Sequence, residues 1–372
     1  MKILLCTPYK RGPEYVFGGM VMWGANILRY AASMKNAGIK IIPVSFDRTN
    51  FVPEGLSRIS RIVIGIKELS RPIIKAALLM KRHKVDCIHI CTSASMSFLK
   101  DIVLLKIACK YKIKSIVHFH YGRTPEVLKT TGWENYMLKK VMKLADKVIT
   151  MNSCSYNALK IAGYTNVVNI PNPLSMEIVQ LVKNMEGRYK RIPNRILYVG
   201  HIIQTKGVYE LIEACSKIRG IELRLVGRVT DMQKNELRKL AGENVDNWCH
   251  FIGEINHNQV LEEFFQAGLF VFPSYAEGFP NVILEAMACG CPIASSAVGA
   301  IPEILDIAGD ACGVCYEPRQ ASEVENAILT LIFDENRKSF LATKAKQRVY
   351  NKYTMPDVWR QLVEMWKSEL YV

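Results

Sequence analysis

The chain has 372 residues, 49% of them apolar and 22% charged, the make-up of a globular protein long enough for two domains. No run of about 18 uncharged apolar residues occurs, so no membrane-spanning helix is expected. The formal net charge of +15 is unevenly held: residues 1–170 carry 27 of the 49 Lys and Arg and 9 of the 34 Asp and Glu, so the whole surplus lies in the first half.

Residues 2–6 are apolar for too short a stretch to be a signal peptide and read as a first strand. A long loop leads to Gly18-Gly19, and an apolar helical pattern follows over residues 20–35, ending at Gly38. Strand, glycine loop and helix open a nucleotide-type α/β unit, without the G-x-G-x-x-G of dinucleotide sites. The glycine pair also fits a plain turn. Residues 39–46 form a second strand. Residues 58–66 read as a strand or an irregular approach, and residues 69–82 as an amphipathic helix. Strands are predicted at 85–90, 115–120, 147–151 and 167–170, with helices at 99–111, 136–144 and 153–162, the last capped by Asn152 or Ser153. His118 and His120 share one face of their strand.

Residues 173–194, from Pro173 past Pro193, read as a linker. The pattern then restarts. Strands at 195–200, 222–227, 250–252, 269–272 and 292–295 alternate with helices, and helices at 321–333, 337–352 and 355–371 close the chain. Such alternation predicts parallel sheets covered on both faces. The eleven cysteines are scattered, mostly in apolar segments. Cys312 and Cys315 form a CxxC without a second pair at zinc spacing, so neither a metal nor a disulfide scaffold is expected. A reducing cytoplasm is the simplest setting.

One stretch carries chemistry. After the apolar strand 269–272, Pro273 and Ser274 stop the run and Gly278 and Pro280 shape a loop. Asn281 is the expected cap of a helix reaching about Ala288. Glu277 lies in the loop. Glu285 lies near the helix face of Asn281 and Val282, because a helix turns about 100° per residue. A loop curling over that helix start would gather both carboxylates and free N–H groups around one ligand. Helix N-termini attract phosphate, and carboxylates bind sugar hydroxyls. On spacing alone, two solvated glutamates remain the simpler reading.

The wording E-G-F-P-N-V-I-L-E-A-M-A closely resembles the E-x7-E segment of the family 4 retaining glycosyltransferases, the glycosyl transferases group 1, in the form frequent among bacterial surface-glycan enzymes. The resemblance implies an α/β GT-B fold: two doubly wound Rossmann-like domains facing a central cleft. It implies domains at 1–172 and 195–354, with a last helix at 355–372 crossing back onto the first. Val199 to Gly207 looks like the family's diphosphate-gripping loop, with Gly200 and Lys206 in place. His201 stands where the family has arginine, and Arg228 is the candidate substitute. By the same likeness Glu285 binds the donor ribose. Glu277, with the backbone of Gly278, Phe279, Pro280, Asn281 and Val282, contacts the sugar and phosphate. Gly18 and Gly19 face the donor. His120, favoured over His118, meets the transferred sugar, and Glu277 and His120 form the catalytic pair. His118, Arg123 and Asn172 are expected on the acceptor side. No cofactor is implied beyond the substrate nucleotide sugar, taken as a UDP-hexose or UDP-N-acetylhexosamine, and no metal.

The basic helices of the first half fit an anionic lipid surface. The expected setting is therefore the cytoplasm, at the inner face of the plasma membrane, with a glycan or lipid-linked acceptor for capsule, O-antigen or other polysaccharide assembly. Nucleic acid is not expected as a partner, since no recognition motif accompanies the charge. The alternatives are another GT-B nucleotide-sugar enzyme, such as an epimerase, or a non-catalytic basic protein that binds membranes or nucleic acid.

Overall fold

The computed structural model describes residues 1–9, 19–34, 38–46, 58–82 and 84–368, with side chains left out over residues 58–69. The chain divides into two compact units: Met1–Asn172 with the chain from Val358 onward, and Pro173–Asp357.

The first unit holds β1 (Lys2–Thr7), β2 (Lys40–Ser45), β3 (Cys87–Thr92), β4 (Lys114–Phe119), β5 (Lys147–Thr150) and β6 (Val167–Asn169). They form one parallel sheet in the order β2-β1-β3-β4-β5-β6. Every residue of β3, β4 and β5 is buried. That is why runs such as Ile116-Val117 and Val148-Ile149 are continuous rather than alternating. The strand order reverses at β1 and β3, the place where open α/β sheets form a crevice at the carboxyl ends of their strands.

Two local expectations change. Residues 58–66 are neither strand nor irregular: one α-helix runs over Arg58–Lys81 with Pro72 inside it. Proline removes one backbone donor but does not stop the helix. Ile62, Ile66, Leu69, Ile73, Ala76 and Met80 keep a three- and four-residue spacing across it, and Ala76 and Met80 are fully buried. The stretch 173–194 is likewise no bare linker. Ser175 Oγ accepts from Ile178 N at 3.2 Å and caps a helix, Met176–Met185, that buries Ile178 and Val182.

The second unit holds β7 (Ile192–Val199), β8 (Glu222–Val226), β9 (Cys249–Gly253), β10 (Ala267–Phe272), β11 (Ile293–Ser296) and β12 (Val314–Tyr316). Pro193 sits next to the start of β7, where a proline is tolerated. The parallel sheet has the order β12-β11-β10-β7-β8-β9. The chain winds outward from β7 to β9, returns to the other side of β7 as β10, and winds outward again. This doubly wound order puts a switch point between the carboxyl ends of β7 and β10.

The last helix, Met355–Lys367, buries Val358, Leu362 and Trp366. From Val358 on it belongs to the first unit, where Lys114 Nζ donates to the carbonyls of Met365 and Trp366 at 2.8 and 3.2 Å. Among the described residues no helix is long and apolar enough to cross a membrane.

Candidate functional site

The switch point of the second sheet is built by loops pressed together. After β7 the chain passes Gly200 and His201 into a short 3-10 turn, Gln204–Lys206. Gly207 follows with φ 70°, and a Cβ there would lie 2.0 Å from the Pro273 carbonyl oxygen. Only glycine allows this approach of the β7 loop to the end of β10. Lys206 Nζ donates to Glu277 Oε1 at 2.5 Å. Both side chains are partly buried, and the ammonium also lies 5.9 Å from the centre of the Phe272 ring. Ile202 N donates to the Arg228 carbonyl at 2.9 Å, tying the β7 and β8 loops. The side chains of His201 and Arg228 are exposed, and neither has an ion-pair partner among the described residues.

Gly299 holds the other side of the Glu277 loop. Its φ is 56°, a Cβ would lie 2.1 Å from the Glu277 carbonyl oxygen, and Ala300 N donates to the Gly278 carbonyl at 3.1 Å. Phe279 is 6% exposed and packs edge-on against Tyr353 at 5.6 Å, and Pro280 is buried too. These two side chains serve the core, which leaves only their backbone for a ligand. The helix spans Asn281–Ala288, and its cap residue is Pro280, with no side-chain cap bond. Asn281 is the first helical residue rather than the cap, because the extended backbone of Pro280 already makes the entry. Glu285 does not meet Lys206. Its Oε2 lies 3.3 Å from His257 Nε2, at the start of the helix His257–Gln266. The His257 pKa is raised, first by its bond to Glu285; burial opposes this, and the charges of Glu285 and Glu177 add to it.

In the first unit Gly18 lies outside the described residues. Gly19 opens the helix Gly19–Ser33, and a Cβ there would meet open space. The glycine that matters sterically is Gly24, where a Cβ would lie 2.9 Å from Thr7 Cγ2 at the end of β1. His118 is fully buried, a position that fits a core histidine and not the acceptor contact expected of it. His120 is half-buried, and its ring lies 4.1 Å from that of His118. Arg123 is exposed and 3.8 Å from Glu134, and Asn172 is buried.

These histidines form a chain that no sequence motif marks. Trp366 Nε1 donates to His89 Nδ1 at 3.0 Å, and His89 Nε2 is 3.3 Å from His118 Nδ1. An indole N–H only donates, so Nδ1 of His89 accepts and its single proton sits on Nε2. That proton goes to His118 Nδ1, which leaves the His118 proton on Nε2, a buried atom without a partner among the described residues. Burial lowers the His89 and His120 pKa values to about 3 and that of His118 well below its ordinary value. All three rings are therefore neutral at pH 7. His89, Cys91 and His118 lie close enough to suggest a metal centre. The Trp366 bond argues against one: with its proton on Nε2, His89 has no lone pair there to give.

A cavity of about 500 Å³ lies elsewhere, at the amino ends of the second sheet's strands, lined by Arg191, Lys338 and Lys346. Its cations are spent within the chain. Arg191 donates to the carbonyls of Phe264 and Gly290, Lys338 to those of Pro193 and Ile332, and Lys346 pairs with Glu186. It offers no free charge to a ligand.

Residues 193–334, which contain the β7 loop and both glutamates, match the family model described as Glycosyl transferases group 1. The chain carries a group 1 glycosyltransferase domain. CapM of Staphylococcus aureus, described as a capsular polysaccharide biosynthesis glycosyltransferase, is 29% identical over 245 residues, covering 61% of this chain and 60% of CapM. A glycogen synthase of Mycobacterium tuberculosis is 24% identical over 63% of this chain and 58% of its own length. The chain thus spans about 60% of the length of these relatives. A sucrose-phosphate synthase structure from Thermosynechococcus elongatus superposes with TM-score 0.72 at 18% identity, over 98% of both chains. HepE of Anabaena, solved in complex with UDP and glucose, superposes with TM-score 0.68 at 18% identity, over 98% of this chain and 99% of HepE. Around the group 1 domain the fold is therefore GT-B: two parallel six-stranded α/β units.

Proposed function

We propose that this protein is a retaining, metal-independent glycosyltransferase. It moves a hexose or N-acetylhexosamine from a UDP-linked donor to a glycan or lipid-linked acceptor in bacterial surface polysaccharide assembly. The observation that carries the reading is the Lys206–Glu277 pair at the β7/β10 switch point, with Arg228 in the adjoining β8 loop exposed and without an ion-pair partner among the described residues, and Glu285 on the next helix. Lys206, Arg228 and the backbone amides of Asn281 and Val282 take the diphosphate, Glu285 the ribose, and Glu277 the sugar. His120, on the first unit, is also assigned to the sugar, as a neutral hydrogen-bonding ring. As the anomeric C–O bond breaks, these cations and amides stabilise the charge gathering on the leaving diphosphate. The acceptor oxygen bonds to the anomeric carbon on the same face, and its proton passes to the departing phosphate oxygen. Glu277 is not a covalent nucleophile in this scheme. CapM's description, the HepE structure with UDP-glucose and a likeness to a lipopolysaccharide outer core galactosyltransferase support the choice of donor and setting.

A thermal-shift panel of UDP, GDP and ADP tests the donor. A shift with UDP alone is expected, and no response to any of the three would overturn the reading. UDP release that needs no acceptor would instead point to a different nucleotide-sugar reaction.

The same reading places the first unit on an anionic bilayer. On the helix Arg58–Lys81, Ile74 and Leu78 are 57% and 46% exposed and share a shallow groove with Arg71, Lys75 and the adjoining Arg82. Apolar anchors beside cations suit peripheral docking, at about 1 kcal/mol for each basic residue near the surface. Co-sedimentation with vesicles should rise with anionic lipid and fall with salt. Insensitivity to both would remove this part.

A further inference from the structure

Glu285, like Glu277, is an expected donor contact whose carboxylate already has a partner in the chain. Its Oε2 lies 3.3 Å from His257 Nε2, while Oε1 has no partner among the described residues. The carboxylate is 12% exposed and the imidazole 34%. His257 is the first residue of its helix, which packs against the helices carrying Glu285 and Glu177. At 3.3 Å the two groups form an ion pair, and Glu285 is the first cause of the raised imidazole pKa.

We propose that His257 is a positioning residue: it holds Oε2 of Glu285 and so presents Oε1 to a hydroxyl of the bound ligand. The inference rests on the reading of Glu285 as the ribose contact. A glutamate side chain turns about three bonds, and a carboxylate free to rotate must be ordered again each time a ligand arrives. An imidazolium fixed at a helix start removes that cost.

The brace is sensitive to pH. The groups facing His257 are Glu285 from the helix Asn281–Ala288 and Glu177 from the helix Met176–Met185, both acidic. They hold the imidazole protonated to a higher pH than usual, against burial and against the positive end of its own helix. The ion pair is complete in mildly acidic solution and is lost as the pH rises through the raised imidazole range.

The test uses the full chain and calorimetric titration with UDP-glucose, whose diphosphate diester does not change charge near neutrality. His257→Ala should bind UDP-glucose about tenfold more weakly at pH 6.5, the scale of a charge-assisted contact, with kcat at saturating donor little changed. His257→Gln, which keeps an N–H donor but cannot titrate, should recover most of the affinity and lose its decline on the alkaline side. The effect of His257→Ala should disappear with 2′,3′-dideoxy-UDP-glucose, which has no ribose hydroxyls for Oε1. If wild type binds UDP-glucose but His257→Ala binds it equally well at every pH, this inference falls and the donor reading stands. If wild type binds no UDP-glucose, both fall. Histidine NMR gives a readout free of ligand: one resonance titrating above the ordinary range should vanish in His257→Gln and move down in Glu285→Gln. Failure of that downward move would also overturn the proposal.

Discussion

Glu277→Gln should separate binding from turnover. In the chain as it stands, Lys206 and Glu277 neutralise each other at 2.5 Å, and a donor diphosphate must take the lysine away. At an effective dielectric of about 20, unit charges at that distance attract by roughly 6–7 kcal/mol. Most of this offsets the desolvation of the two groups. Partial exposure of both side chains, 27% and 13%, cuts the net further, to about 1 kcal/mol. Glutamine keeps the shape and removes the charge. Lys206 is then freer to meet phosphate, and UDP should bind about fivefold more tightly. On the proposed reading turnover should fall at least tenfold, since the carboxylate contact assigned to the reacting sugar is lost. Calorimetric titration with UDP at low and at high salt measures the first effect, and acceptor-dependent UDP release the second. The affinity gain should shrink in high salt, which screens the pair. Equal or weaker UDP binding by Glu277→Gln would refute the argument that Lys206 is held back by Glu277.

Further outcomes follow from single contacts. Glu285→Ala should weaken UDP-glucose binding about tenfold while kcat at saturation stays near wild type; the opposite split would exchange the roles of the two glutamates. Gly207→Ala should cost roughly 2–4 kcal/mol, because a Cβ at 2.0 Å from the Pro273 carbonyl must move backbone. An unchanged melting temperature would show that the loops are not packed as described. His89, His118 and His120 have folded pKa values below the unfolded 6.5, so their contribution is complete above that pH and is lost as the pH falls below it, toward about 3 for His89 and His120. Between pH 7 and 5 this is roughly 2 kcal/mol for each of His89 and His120, with Asp101, raised by burial, working the other way. Urea unfolding followed by tryptophan fluorescence, dominated by Trp23, Trp133, Trp359 and Trp366 of the first unit, measures it. Stability equal at the two pH values would refute the neutral-ring assignment.

What was legible in the amino-acid order was what repeats with a fixed period. Buried parallel strands announce themselves as short apolar runs, and the alternation with helices led to two doubly wound units. The glutamate spacing marked the strand–loop–helix after β10. Local punctuation misled where tertiary packing outweighed it. Residues 58–66 read as a strand or an irregular approach, yet their apolar spacing continues in phase past Pro72 within one helix. The stretch with Pro173 and Pro193 was read as a linker, although Ser175, Ile178 and Val182 held a cap and a buried face. Asn281 was preferred as a cap by residue type, while the backbone of Pro280 had already taken the position.

The partners of the site residues were not legible at all, because partner choice depends on folded distance and leaves no periodic trace. Glu277 meets Lys206 across 71 positions. Trp366 reaches His89 across 277 positions and thereby fixes the protons of a three-histidine chain. A tryptophan read as one apolar position in a terminal helix thus decides whether His89 can bind a metal. Its bond also orients His118, which shares a strand face with His120 and was a rival for its role. The motif alone could not choose between them. In the fold His118 has its Nδ1 committed inside the core, while His120 is half-buried with its Nε2 covered.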